Sequence, residues 1–257
     1  MQIIKLGGSL ITDKKKVKRP RKGIMERLVH EMAASGEKLM VVHGAGSYGH
    51  HLAKEGKLNE GFIGEWQMEY LSKVHRDMRE LNLMVMNAMI DAGLNPISIP
   101  PSSIAIYEAG SLSHFPTQLF EMYSGMGLTP VSFGDMVPDT KRIFAICSGD
   151  HIMRELAGIE GVERAIFATD VDGIYDRPPS EPGAELLEEI HPDKQVLTEL
   201  MYTDTTGGMA QKIADGLAIA KKGVEVLVVN GLVEGRLEKA IKGERVPGTI
   251  IRWKKDD

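Results

Sequence analysis

The chain alternates short apolar runs with longer stretches of helical periodicity. It opens on "IIKL" (residues 3–6), an apolar strand ended by Gly7 and Gly8. Between residues 24 and 33, Ile24, Met25, Leu28, Val29, Met32 and Ala33 recur on one helical face, and Gly36 stands where such a helix would stop. "LMVVH" (residues 39–43) is the next apolar run. From residue 65 to about 92 a helical pattern continues without Gly or Pro, and Gly93 ends it. Further strands are predicted at "PISI", "LTPVSF", "IFAIC", "RAIFAT", "VEVLVV" and "GTIIRW", with helices at 149–157 and 209–222. Continuous β-branched runs suit strands covered on both faces, and their alternation with helices gives βαβ units. The expected fold is α/β: a three-layer αβα sandwich with an open, mostly parallel central sheet. No repeat or low-complexity linker divides the chain, so residues 1–257 read as one domain, with a soft division near residue 160.

Composition narrows the class. A length of 257 residues supports a full core, and 42% hydrophobic with 26% charged residues is ordinary for a globular protein. No apolar run is long enough to span a bilayer, and no leader is expected, because Met1 runs directly into an apolar strand. A single cysteine, Cys147, excludes an internal disulfide and suits the cytoplasm. The net charge of −5 argues against nucleic-acid binding. One basic run departs from that balance: "KKKVKRPRK" (residues 14–22) is either a solvated loop or the source of a lysine that reaches an anionic substrate.

Candidate chemistry gathers around glycines. "GAGSYG" (residues 44–49) fits G-x-G-x-x-G, yet the acidic residue a dinucleotide site needs would fall at 65–69, inside the long helix. The run also follows the second strand rather than the first. What remains is generic: backbone amides freed to point at a phosphate or carboxylate. "KLGGS" (residues 5–9) sets Lys5 inside the first strand, where a lysine is costly to bury without an anion. No Walker A pattern is present. "TTGGMAQKI" puts Gly207 and Gly208 before a helix that carries Lys212 early on. "SGDHI" opens another helix, with Ser148 or Asp150 as its cap. All four lie at strand ends or helix starts, which converge on one crevice in such folds.

Taken together, Lys5 to Ser9, "TDVDGIY" (residues 169–175) and "GGMAQKI" (residues 207–213) resemble the amino acid kinase superfamily. Within it, "HGAGSYGHHLA" (residues 43–53) is similar to the isopentenyl phosphate kinase subgroup, with Ala45 in place of the usual middle glycine and Tyr48 in place of phenylalanine. The resemblance implies transfer of phosphate from ATP, with Mg2+, to the phosphate of isopentenyl phosphate. It implies that Lys5 and Lys212 hold the transferring group, that Lys14 approaches the ATP phosphates, and that His50 binds the acceptor phosphate. Gly7, Gly8, Ser9, Gly46 and Gly208 would serve ATP, and Ala45, Gly46 and Gly149 the acceptor. Asp170 and Asp172 would lie on the nucleotide side as ribose, adenine or magnesium contacts, although two aspartates before a glycine also make an ordinary turn. His51 and His43 would be structural. No protein-built metal site is expected, since the spacing of an EF-hand is missing. An apolar tail needs an uncharged pocket, for which Tyr70, Val74 and Met78 are the candidates by helical spacing. A dianionic acceptor should draw His50 towards its protonated form. The resemblance also implies a cytoplasmic homodimer that binds small molecules, without nucleic acid or membrane. Two other readings stay open: a related kinase for an amino acid or a phosphonate such as fosfomycin, and a non-catalytic nucleotide-binding module.

Overall fold

The computed structural model describes residues 1–192 and 208–253. Its central sheet has eight strands: β1 (Gln2–Leu6), β2 (Leu39–His43), β3 (Pro96–Ser98), β6 (Thr129–Phe133), β9 (Arg164–Thr169), β12 (Glu189–Ile190), β13 (Glu225–Asn230) and β14 (Gly248–Ile251). Their order is β12-β14-β13-β9-β1-β2-β6-β3. Only β13 and β14 pair antiparallel; the other neighbours run parallel. The mostly parallel sheet read from the sequence is therefore observed.

Side-chain alternation along β1 sends Ile3 to one face and Ile4 and Leu6 to the other. The first face is covered by α5 (Gln118–Gly125), α6 (Gly149–Leu156) and α7 (Gly208–Ala220), through Phe120, Ile152, Leu156, Ile213 and Leu217. The second is covered by α1 (Gly8–Ile11), α2 (Lys22–Ser35), α3 (Gly46–Glu55), α4 (Gln67–Asp91) and α8 (Arg236–Ile241), through Leu10, Leu28, Tyr48, Met78 and Leu237. This is the αβα sandwich. Gly36 ends α2 in the left-handed conformation at φ 69°, as its position suggested.

One expected strand belongs elsewhere. "IFAIC" is β8 (Ile143–Cys147), which pairs antiparallel with β7 (Asp135–Asp139) in a separate four-stranded sheet of order β5-β4-β7-β8. The partners β4 (Ile106–Glu108) and β5 (Ser111–His114) form a hairpin that the hydrophobic pattern does not announce. Ile143 and Ile146 are exposed while Phe144, Ala145 and Cys147 are buried, so each face of β8 is only partly covered. A further pair, β10 (Ile174–Tyr175) and β11 (Leu186–Leu187), lies beyond β9.

The sheet order reverses at β1, which has β2 on one side and β9 on the other. Parallel register brings Leu6 level with His43 and Ala168, and His43 level with Phe133. The segments that leave these strands thus emerge side by side, at the switch point where open α/β sheets bind ligands.

Candidate active site

A cleft of about 470 Å³ opens at that switch point. Gly7, Gly44, Gly134 and Asp170, which follow β1, β2, β6 and β9, all line it. It is also lined by Lys5, Gly8, Ser9, Lys14, Ala45, His50, Gly149, Asp150, Val74, Met78 and Lys212. Most of the residues singled out from the sequence therefore meet in one place.

Lys5 stands in the buried strand β1 and donates to the Asp150 carboxylate on the first turn of α6. Lys212, on α7, approaches the other oxygen of Asp150 at 4.0 Å. Both ammonium groups lie over the ring of Phe167 from β9, at 5.8 and 5.5 Å from its centroid. Burial, and then the Lys212 charge, pull the Lys5 pKa down to about 8, with Asp150 resisting. Asp150 stays below the ordinary carboxylate range, because the two lysines outweigh its own desolvation. Sequence reasoning offered Asp150 only as a helix cap, and that role goes to Ser148, whose hydroxyl accepts from the His151 amide at 3.2 Å.

The two glycine turns fit into each other. A Cβ on Gly8 would lie 2.3 Å from the Gly46 nitrogen, and one on Gly44 would lie 2.6 Å from the Gly8 nitrogen. Gly46 also sits at φ 48°, in the left-handed region. Thr12, fully buried, ties the turns together by donating to the Gly8 carbonyl at 2.6 Å and accepting from the Ser47 amide at 2.9 Å. Ala45 lines the cleft at φ −72°, a conformation open to any residue, so it keeps its amide without needing glycine.

His50 lines the cleft from α3 as an exposed residue. Partial desolvation, with Lys14, His51 and Lys5 nearby, pulls its pKa below the usual histidine value. The expected protonated state concerns the complex, where a bound dianion would work against this shift. His51 faces the Lys14 carbonyl at 3.4 Å. His43 is buried, stacks on Phe133 and bonds Asn82 at 3.3 Å, with burial lowering its pKa to about 4.

The basic run divides. Lys14 reaches the cleft. Lys18 turns back to pair with Asp77 at 3.2 Å and with Glu80 on α4. The segment is closed by the Thr12–Pro20 bridge and held on α3 by the Lys18 and Arg19 amides, which bond Ser47.

Gly46, Asp172 and Tyr70, all expected in the site, stand apart from the cleft lining. Gly46 lies behind the turn, packed on Gly8 and Thr12. Asp172 turns to Asn230, 3.1 Å away, and to Arg236. Tyr70 packs over Gly56 and meets Trp66 edge to face at 6.0 Å. Asp170 does face the cleft, where it accepts from Ser9 at 3.0 Å. Gly208 opens α7, and its neighbour Gly207 lies outside the described residues.

The apolar part of the lining comes from Ala53 on α3, Val74 and Met78 on α4, Met136 on β7 and Ile146 on β8. The one carboxylate beside them, Asp135, is taken up by Arg79 at 3.0 Å and by the Ser102 and Met136 amides. Among the described residues no three metal-ligating side chains cluster, and no helix is long and apolar enough to cross a membrane.

Residues 1–230 match the amino acid kinase family. The isopentenyl phosphate kinase of Methanothermobacter thermautotrophicus is 37% identical, with 99% of this chain and all of that protein covered. That of Thermoplasma acidophilum is 36% identical, covering 98% of this chain and all of the relative. A solved isopentenyl phosphate kinase superposes with a TM-score of 0.86 at 34% identity, over 98% of this chain and 99% of that one. The chain belongs to the amino acid kinase family and, within it, to the isopentenyl phosphate kinases.

Proposed function

We propose that this enzyme transfers the γ-phosphoryl group of ATP to isopentenyl phosphate, giving isopentenyl diphosphate and ADP. One observation carries the reading: a single cleft joins three lysines and a histidine to an apolar wall with no spare charge. An amino acid acceptor would need a cation for its carboxylate and acceptors for its amine. Along the wall of Ala53, Val74, Met78, Met136 and Ile146 the nearby carboxylate is already neutralised by Arg79.

The acceptor is a phosphate monoester with a second pKa near 6, so its oxygen is ionised at neutral pH and needs no general base. That oxygen attacks the γ-phosphorus, the new P–O bond forms, and the bond to the β-phosphate oxygen breaks. Catalysis is then a matter of bringing two polyanions together and stabilising the charge that spreads over the transferring group. Lys5 and Lys212 supply that charge, held at a fixed spacing by Asp150. Gly7, Gly8 and Ser9 offer donors to the ATP phosphates, and Lys14 closes on them from its loop. His50 and the Ala45 amide hold the acceptor phosphate, beside Gly149. Mg2+ would be held by the ATP phosphates and would neutralise part of their charge, with Asp170 as a carboxylate lining the same cleft. Residues 1–160 form the acceptor side and 161–257 the nucleotide side. The same reading takes the enzyme to be cytoplasmic and homodimeric.

ADP release measured with isopentenyl phosphate, acetylglutamate, aspartate, UMP and fosfomycin tests the assignment. Isopentenyl phosphate should give by far the highest kcat/KM. His50→Ala should lose roughly 10²–10³ in rate, and His50→Gln should recover part of it by keeping a neutral donor. Preference for an amino acid, or wild-type kinetics in the alanine variant, would overturn the reading.

A further inference from the structure

Helices α6 and α7 meet through two ion pairs of opposite polarity. One is the Asp150–Lys212 approach already described, with the acid on α6 and the base on α7. The other lies further along both helices and has the signs exchanged: Arg154 of α6 meets Asp215 of α7 at 3.3 Å. Asp150 and Arg154 are four residues apart and Lys212 and Asp215 three, so each helix presents both charges on one face. Asp215 is 1% exposed, and its second oxygen accepts from Gln211 at 3.0 Å. A buried carboxylate without its partners would be strongly destabilising, so the pair fixes how the two helices can slide and turn. Neither Arg154 nor Asp215 lines the cleft.

We infer that Arg154 and Asp215 are positioning residues for phosphoryl transfer, acting as a second clasp that sets the Lys212 ammonium against Asp150 and Lys5. The inference rests on the role proposed for Lys212. The lever is short: Lys212 lies one turn before Asp215 on the same helix, and Asp150 one turn before Arg154. Rotation of either helix about its axis would carry an ammonium or carboxylate off the line of transfer, where a displacement of about 1 Å costs on the order of 10²-fold in rate. Asp215 also adds a through-space attraction for the Lys5 charge, smaller than that of Asp150. Lys5 is faced by Asp150 from α6 and by Lys212 and Asp215 from α7, and its charge is felt by His50 on α3. Of these, Asp150 and Asp215 favour the charged ammonium. Around Arg154 the other charged groups are Glu155 on its own helix and Lys222, which donates to the Arg154 carbonyl.

The test compares Arg154→Met, Asp215→Asn, the double variant and Lys212→Ala in the full-length enzyme, with ATP and isopentenyl phosphate. Each positioning variant should lower kcat by roughly 10- to 100-fold while the KM values move by less than about threefold. The double variant should cost no more than the worse single one, because both remove the same contact. Asp215→Asn should also move the alkaline limb of kcat/KM to lower pH, a shift that a merely structural role would not produce. Circular dichroism and thermal unfolding check folding, and if Asp215→Asn fails to fold, the partly exposed Arg154→Met carries the test. Wild-type kcat in Arg154→Met beside an inactive Lys212→Ala would overturn the clasp alone. Full activity in Lys212→Ala would overturn both the clasp and the site on which it rests.

Discussion

Lys5 is the residue on which the site's electrostatics turn. A strand-borne lysine in a core is destabilising unless its charge is met, and here the Asp150 carboxylate meets it. That arrangement makes the free enzyme sensitive to alkali. With its pKa lowered to about 8, Lys5 is charged at neutral pH and loses its proton above that value. The kcat/KM profile, which reports the free enzyme, should fall above pH ~8, while its acid limb near pH 6 belongs to the acceptor's second ionisation. Bound phosphates favour the ammonium, so the limb in kcat should lie at higher pH than the limb in kcat/KM. A kcat/KM profile level to about pH 9.5 would remove Lys5 from the chemistry. His50 contributes no such limb in the free enzyme, because it is already held towards the neutral form.

At the scale of elements, the site depends on how closely the turn after β1 and the turn after β2 interlock. A methyl group on Gly46 would fall 2.0 Å from the Thr12 hydroxyl and 2.5 Å from the Gly8 carbonyl, at a positive φ. Gly46→Ala should therefore cost about 3 kcal/mol or more in urea unfolding and lower activity with it. Gly23 is the contrast: it lies in the first turn of α2, with no atom within 4 Å of an added Cβ. Gly23→Ala should gain about 0.5–1 kcal/mol with unchanged kinetics. Equal stability in the two variants would disprove the interlock. The same elements show what the sequence makes legible. The parallel strands are readable because each is a continuous apolar run, and Lys5, Lys212 and the His50 loop stand out because polar groups interrupt those patterns. The β4–β5 hairpin is not readable, since "IYE" and "SLSH" are short and half polar. "IFAIC" misleads because its apolar run reads like a central parallel strand, whereas it pairs antiparallel with β7 in the separate four-stranded sheet. Asp150 is hidden by the 145 residues that separate it from Lys5. Tyr70 fails for a geometric reason: steps of four residues drift about 40° around a helix, so Val74 and Met78 reach the cleft while Tyr70 turns towards Gly56.

For the molecule as a whole, the charge balance is uneven. The chain carries a formal −5, yet its cleft gathers Lys5, Lys14, Lys212 and the His50 imidazole around two carboxylates, Asp150 and Asp170, with a third, Asp135, neutralised by Arg79. Both substrates are polyanions, so an acidic surface repels them at long range while a cationic, partly enclosed cleft draws them in at short range. Salt screens exposed charges over a Debye length of about 8 Å at physiological ionic strength, but weakens buried pairs such as Lys5–Asp150 far less. Lys14 is the exposed cation among the three lysines. The KM values for ATP and isopentenyl phosphate should therefore rise as salt increases from ~0.03 to ~0.3 M, with kcat changing little. Lys14→Ala should raise KM at low salt and flatten that dependence, because it removes the charge most open to screening. Unfolding midpoints should stay nearly constant over the same range, since the ion pairs that fix the cleft are buried. If KM is indifferent to salt in the wild type, or if Lys14→Ala leaves the slope unchanged, the loop after β1 is a solvated surface feature and the attraction of substrate comes from Lys5 and Lys212 alone.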